Sequence, residues 1–152
     1  MASHFIKTEI EIDASAEQVW SVLSDFNSYS EWNPFIRSAI GQPIQGERLR
    51  ITIQPGDAKP MRFSPKVLVS VPGRELRWLG RLVAPGVFDG EHCFIIEKLT
   101  DKKVRFEQSE RFNGFLVGLL RATLERGTKR GFEEMNRALK ARSESIAVGQ
   151  HA

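Results

Sequence analysis

Three residues carry most of the chemistry this sequence could do in concert: His92, Gln108 and Glu110. An imidazole beside a carboxyl is the usual make-up of a general acid/base pair. With an amide added, the same groups can orient a ligand carbonyl or hydroxyl through hydrogen bonds. The third use is structural, a mutually satisfied pair that braces the mouth of a sheet. Other chemistries lack their parts. The chain has no G-x-G-x-x-G, no phosphate-binding G-x-x-x-x-G-K-[ST], no H-E-x-x-H helix and no G-x-S-x-G elbow. Its histidines are His4, His92 and His151, and two of these are terminal, so neither a multi-histidine metal site nor a cofactor is expected. Cys93 follows His92 directly. In a strand the two side chains point to opposite faces, so a Cys–His nucleophile pair is not expected either.

The elements that must position these residues follow from periodicity. Residues 5–12 alternate, with Ile6, Thr8, Ile10 and Ile12 on one side and Lys7, Glu9 and Glu11 on the other, which predicts a half-buried strand. Asp13-Ala14-Ser15 ends it, and Ser15 with Gln18 forms a capping box for a helix over 16–25. A second short helix or turn over 27–33 closes at Pro34. Strands are then predicted over 35–41, 47–54, 61–71, 74–83, 90–99 and 103–112, separated by Gly/Pro/Asp punctuation. A long helix over 115–142 carries Leu116, Leu119, Leu120, Thr123, Leu124, Gly127, Gly131, Met135, Ala138 and Leu139 on one stripe. Gly127 and Gly131 predict close approach of another element, or a bend.

One helix cannot cover both faces of seven strands. The expected fold is therefore α+β, a curled seven-stranded antiparallel sheet whose apolar concave face grips the C-terminal helix, with two short helices after the first strand. The gap between sheet and helix is the natural cavity. A two-residue turn at Pro72-Gly73 sets Val71 against Arg74, Val69 against Leu76 and Val67 against Trp78. A three-residue loop at Thr100-Asp101-Lys102 sets Leu99 against Lys103, Phe94 against Gln108 and His92 against Glu110. Phe63, Val67, Val69, Leu76, Trp78, Phe94, Ile96, Phe106 and Phe112 then share the inner face, and His92, Gln108 and Glu110 fall there with them. Polar groups on an apolar wall are costly unless paired or wet.

Composition bounds the rest. The chain has 152 residues, 41% hydrophobic and 27% charged, which fits one soluble domain over 1–142 and a flexible tail over 143–152. No apolar run is long enough to span a membrane, no signal-peptide pattern opens the chain, and one cysteine fits a reducing cytoplasm. The net charge of +3 is concentrated in 115–142, where seven Lys and Arg meet three Glu. The simplest reading is a solvated helix face with i, i+4 pairs such as Glu125–Lys129 and Glu133–Arg137. The basic residues are not interleaved with exposed aromatics, so nucleic acid is not an expected partner.

Several strings resemble the SRPBCC superfamily, the START-related helix-grip domains, in its polyketide cyclase/dehydrase-like branch. They are Ser15-Ala16-Glu17-Gln18-Val19-Trp20, Tyr29-Ser30-Glu31-Trp32-Asn33-Pro34-Phe35, Glu75-Leu76-Arg77-Trp78-Leu79-Gly80, Gly90-Glu91-His92-Cys93-Phe94, Glu110-Arg111-Phe112-Asn113-Gly114 and Gly131-Phe132-Glu133-Glu134-Met135-Asn136. The resemblance covers about residues 3–142. It implies that Trp32, Asn33 and Phe35 lie near the pocket opening, as a lid or as a plug between helix and sheet. The expected ligand contacts are these three together with Phe63, Val67, Trp78, His92, Phe94, Gln108, Glu110 and Phe112 from the sheet and Leu120, Thr123 and Leu124 from the helix. The first expectation for function is binding of a hydrophobic small molecule, lipid-like or aromatic. The second is a polyketide aromatase/cyclase or dehydratase using His92 and Glu110. The third is a regulatory or protein-interaction subunit with a vestigial cavity, and a weak homodimer is left open.

Overall fold

The computed structural model describes residues 3–54, 56, 59–82 and 86–149. Strand β1 (Ser3–Ile12) leads into helix α1 (Ala16–Ser24), where the Ser15 hydroxyl accepts from Gln18 N at 3.1 Å as the capping box requires. A 3₁₀ turn (Phe26–Ser28) and helix α2 (Tyr29–Trp32) follow. Then come β2 (Ile36–Ile40), β3 (Arg50–Ile53), β4 (Met61–Phe63), β5 (Lys66–Val71), β6 (Glu75–Leu82), β7 (Phe88–Thr100) and β8 (Lys103–Asn113).

Strands β1-β8-β7-β6-β5 form one antiparallel sheet and β2-β3-β4 a second. The expected seven strands are thus eight, because 61–71 is not continuous. Pro65, which has no N–H to give a ladder, separates β4 from β5. The two sheets meet at a seam beside it, where Leu49 N donates to Pro65 O and Val67 N to Glu47 O, each at 2.8 Å.

Both hairpin registers differ from expectation near the turn and agree beyond it. In β5–β6, Gly73 has φ +79° and Arg74 N donates to Val71 O at 3.0 Å, so Val71 pairs with Glu75 rather than Arg74. Val69 therefore pairs with Arg77, on the outer side, and not with Leu76. A bulge between Val67 and Val69 then takes the offset back, and Val67 pairs with Trp78 as expected. In β7–β8, Thr100 pairs with Lys103, a bulge removes Leu99 from the ladder, and His92–Glu110 and Phe94–Gln108 pair as expected, with Ile96 opposite Phe106.

The C-terminal helix differs most. It consists of α3 (Val117–Thr123), a π turn (Leu124–Thr128) and α4 (Lys129–Gly149). The π turn holds an extra residue and rotates the stripe. Upstream of it Val117 is buried, while Leu119 and Leu120 are 82% and 37% exposed, which corrects their expected place on the inner stripe. Downstream, Gly131, Phe132, Met135, Asn136, Leu139 and Ser143 are buried. The helix also continues past 142. Ser143 is buried and Ile146 packs against the core, so the chain through Gly149 is helix and not the tail expected from 143. On its outer face the pairs are Arg130–Glu134 and Lys140–Glu144 instead of those expected, and Glu125 binds His4 Nε2 at 2.8 Å.

The two helix glycines divide the expected roles. Gly127 lies in the π turn, where the helix departs from α geometry. Gly131 is a notch for the Phe35 ring, which a Cβ there would overlap, and Phe35 goes on to pack edge-to-face on Phe132 at 5.6 Å. Replacing Gly131 by Ala should destabilise the fold by about 1–3 kcal/mol through overpacking, read as a lower midpoint in urea. Cys93 lies on the outer face, paired with Arg77 and Ser109, and is 7% exposed. Burial pushes its thiol pKa up, against the opposing pull of Arg77. Less thiolate forms at mildly alkaline pH, so alkylation should be slower in the folded protein than in urea, and equal rates would contradict this placement.

Candidate functional site

One row of side chains crosses the concave face of the main sheet. Ile6 pairs with Glu110, Glu110 with His92, His92 with Trp78 and Trp78 with Val67. His92 is 4% exposed. Three rings enclose its imidazole: Phe94 at 4.5 Å, Phe132 at 4.9 Å and Trp78 at 5.4 Å between centroids. Both ring nitrogens are engaged. Nδ1 lies 3.3 Å from Glu110 Oε1, and Nε2 lies 2.9 Å from Gln108 Oε1.

The polar groups extend further than the three read from the sequence. Gln108 Nε2 donates to Asn136 Oδ1 at 2.8 Å and to Phe132 O at 3.4 Å. Asn136 Nδ2 donates to Thr8 Oγ1 at 2.8 Å, and the Thr8 hydroxyl donates to Gln108 O at 3.2 Å. A hydrogen-bonded chain thus runs from Glu110 through His92, Gln108 and Asn136 to Thr8, joining β8, β7, α4 and β1. Two signals for the missed members were present in the sequence. Thr8 interrupts the run Ile6, Ile10 and Ile12 on one face of β1, and Asn136 follows Phe132 by one helical turn.

On the Thr8–Gln108–Phe94–Leu76 side of the row, the interior is packed. Phe94, Phe106, Phe132, Met135 and Leu139 are fully buried. On the other side the next row is His4–Phe112–Gly90–Gly80. Its two glycines leave room above the sheet, and two side chains use it. Phe63 lies against Gly80, and the Glu110 carboxyl lies over Gly90, its oxygens 3.5 Å from where a Cβ would stand. Phe112 packs tilted against Phe88 there, with centroids 5.6 Å apart. The Glu110 side chain is 13% exposed. Oε1 is bonded to His92, and Oε2 has no protein partner among the described residues.

The remaining candidates have separate places. Asn33 Oδ1 accepts from Phe35 N at 3.0 Å and Ile36 N at 2.8 Å, so its carboxamide oxygen shapes the turn into β2. Its Nδ2 and the indole N–H of half-buried Trp32 are buried without a partner among the described residues. Phe35 is the plug described above. Val67 and Trp78 are core, Leu120 faces out, and the side chains of Thr123 and Leu124 fall outside the described residues. The single tyrosine, Tyr29, is fully buried and donates to Leu23 O; burial, with Asp25 nearby, pushes its phenol far above its ordinary range. It is no proton donor for this site. No group of three His, Cys, Asp or Glu among the described residues could hold a metal. A groove of about 860 Å³ lies at the other end of the sheet, between α1 and the β5–β6 hairpin. It is edged by Trp20, Val71 and Pro72 with charges of both signs, and it contains none of the candidate residues.

Solved structures with this architecture span nearly the whole chain. The Zhui aromatase/cyclase of a Streptomyces species superposes with a TM-score of 0.77 at 16% identity, covering 94% of each chain. Norcoclaurine synthase of Thalictrum flavum gives 0.73 at 13% identity, covering 96% of this chain and 97% of its own. A START superfamily protein of Mycobacterium smegmatis gives 0.69 at 20% identity, covering 94% and 99%. At these identities the likeness establishes the helix-grip fold. No curated protein matches the sequence significantly. The sequence pattern that describes polyketide cyclases/dehydrases and lipid transport proteins matches residues 3–144, and the chain belongs to that family.

Proposed function

We propose that the protein binds a hydrophobic small molecule, lipid-like or aromatic, at the glycine end of the concave face, with Glu110 as its polar contact and His92 held behind. The observation that carries this reading is the inward carboxyl whose Oε2 has no partner among the described residues. A carboxyl on an apolar wall costs free energy unless every oxygen meets a donor. Here the fold provides for one oxygen and leaves the other to whatever enters. Apolar contact with neighbours such as Phe63, Phe88 and Phe112 would supply affinity at about 25 cal/mol per Å².

A second reading has its own support. The His92–Glu110 pair can hold a proton next to a bound molecule, and an aromatase/cyclase and norcoclaurine synthase share this fold. A polyketide aromatase/cyclase or dehydratase would use the same site, with Glu110 exchanging the proton and His92 storing it. In both readings binding comes first.

Native mass spectrometry of the purified protein should reveal a co-purifying hydrophobic molecule. In a thermal-shift screen of long-chain alcohols, sterols and polycyclic phenols, a ligand at a hundred times its Kd should add about 2.7 kcal/mol of stability, several degrees of Tm. Glu110→Leu should weaken that ligand about tenfold or more, and Arg74→Ala in the distant groove should not. Unchanged binding in Glu110→Leu, or an equal loss in Arg74→Ala, would place the ligand elsewhere.

A further inference from the structure

We propose that the ligand presents a hydrogen-bond donor to Glu110 Oε2, as a phenol, enol or alcohol O–H or an amine N–H. Gln108, Asn136 and Thr8 are the positioning residues that hold a hydrogen on His92 Nε2 and set the ring against Glu110. The inference rests on the reading above, in which Glu110 is the polar contact.

The direction of each bond from Thr8 to His92 is set from two backbone carbonyls. A carbonyl only accepts, so the Thr8 hydroxyl must donate to Gln108 O. Its oxygen then accepts from Asn136 Nδ2, which leaves Asn136 Oδ1 to accept from Gln108 Nε2. The second carbonyl, Phe132 O, faces the same Gln108 nitrogen from the helix side and requires the same amide orientation. Gln108 Oε1 is therefore an acceptor, and His92 Nε2, 2.9 Å away, must carry a hydrogen.

With Nε2–H fixed, the contact at Nδ1 is a hydrogen bond only when one proton lies between Nδ1 and Glu110 Oε1. There are two ways to place it. An imidazolium donates to a carboxylate, or a carboxylic acid donates to a neutral imidazole. In both, the proton lies on the Oε1 side and Oε2 carries no hydrogen. The oxygen left for the ligand offers lone pairs alone. A ligand O–H or N–H completes it. A methyl ether leaves it unpaired, and a ligand carboxylate sets acceptor against acceptor. Sites that hydrogen-bond a hydroxyl discriminate strongly against analogues lacking it. The class of ligand is thus a donor-bearing hydrophobe, and fatty-acid anions are disfavoured.

The test compares naphthol, its methyl ether and naphthoate by isothermal titration calorimetry near neutral pH, alongside ¹⁵N NMR of the His92 ring. Naphthol should bind about tenfold tighter than the ether, with naphthoate weakest. The ring spectrum should report hydrogen on Nε2. Gln108→Met cuts the chain at His92, and Thr8→Val cuts it at its far end while keeping Gln108. Gln108→Met should move the Nε2 resonance toward the unprotonated position, whereas Thr8→Val should leave it in place, because Phe132 O still orients the Gln108 amide. Ether or naphthoate binding as tightly as naphthol would overturn the preference while leaving the ligand site standing, and a ring protonated only at Nδ1 would overturn the positioning by Gln108. Failure of all three probes to bind would overturn the ligand site and the preference with it.

Discussion

His92, Gln108, Asn136 and Thr8 are nearly sealed from solvent, and any of them left unpaired would cost roughly 1–3 kcal/mol. They are tolerated together because each closes the valence of the next. The chain also crosses from β7 and β8 to α4 and back to β1. Apolar packing alone would let the helix slide along the sheet at modest cost. A directional chain with backbone carbonyls at its anchors allows one register. The position of α4 over the sheet and the setting of the imidazole are consequences of the same set of bonds.

Small residues then decide what is filled and what is open. Gly131 lets Phe35 reach the helix backbone, so the turn after α2 closes one flank with aromatic packing. Gly80 and Gly90 pair across β6 and β7, and their missing side chains are replaced by Phe63 and the Glu110 carboxyl folding over the sheet. The concave face is therefore not uniform. From Gln108 toward the β7–β8 turn it is core. From Glu110 toward the other end it is a wall with a carboxyl at its border.

Alternation made much of this legible. The inward placement of His92, Gln108 and Glu110 follows from period-two parity, which survived two errors because each hairpin turn that shifted the register was followed by a bulge that restored it. Bulges of this kind leave little mark on hydrophobic patterning, so alternation alone puts Val69 on the wrong face. The helix was harder. A stripe drawn at constant period cannot anticipate a π turn, and Leu119 and Leu120 were placed inside while Val117 took the buried position. Asn136 was invisible as a partner because its role depends on the helix meeting Thr8 and Gln108, residues that are 128 and 28 positions away in the chain. Ser143 and Ile146 read as tail because the segment 143–152 is mostly small and polar, although Ser143 is buried and Ile146 packs on the core.

The chain also limits what chemistry the site could perform. A proton held between Nδ1 and Oε1 can be passed to a ligand through the Glu110 carboxyl, which is partly exposed beside Gly90. It cannot leave by the other side, because Nε2 ends on the oxygen of a carboxamide, and a carboxamide does not relay protons at ordinary cost. Any acid/base step here would have to take a proton and return it at the same face. Enolisation, or loss of water with the hydroxide leaving as it is protonated, balances in that way. A reaction that needs net proton export to solvent through the protein interior does not. A carrier and a cyclase built on this frame would therefore share the same walls and the same polar contact, and would differ only in whether the bound molecule has an acidic hydrogen within reach of Glu110.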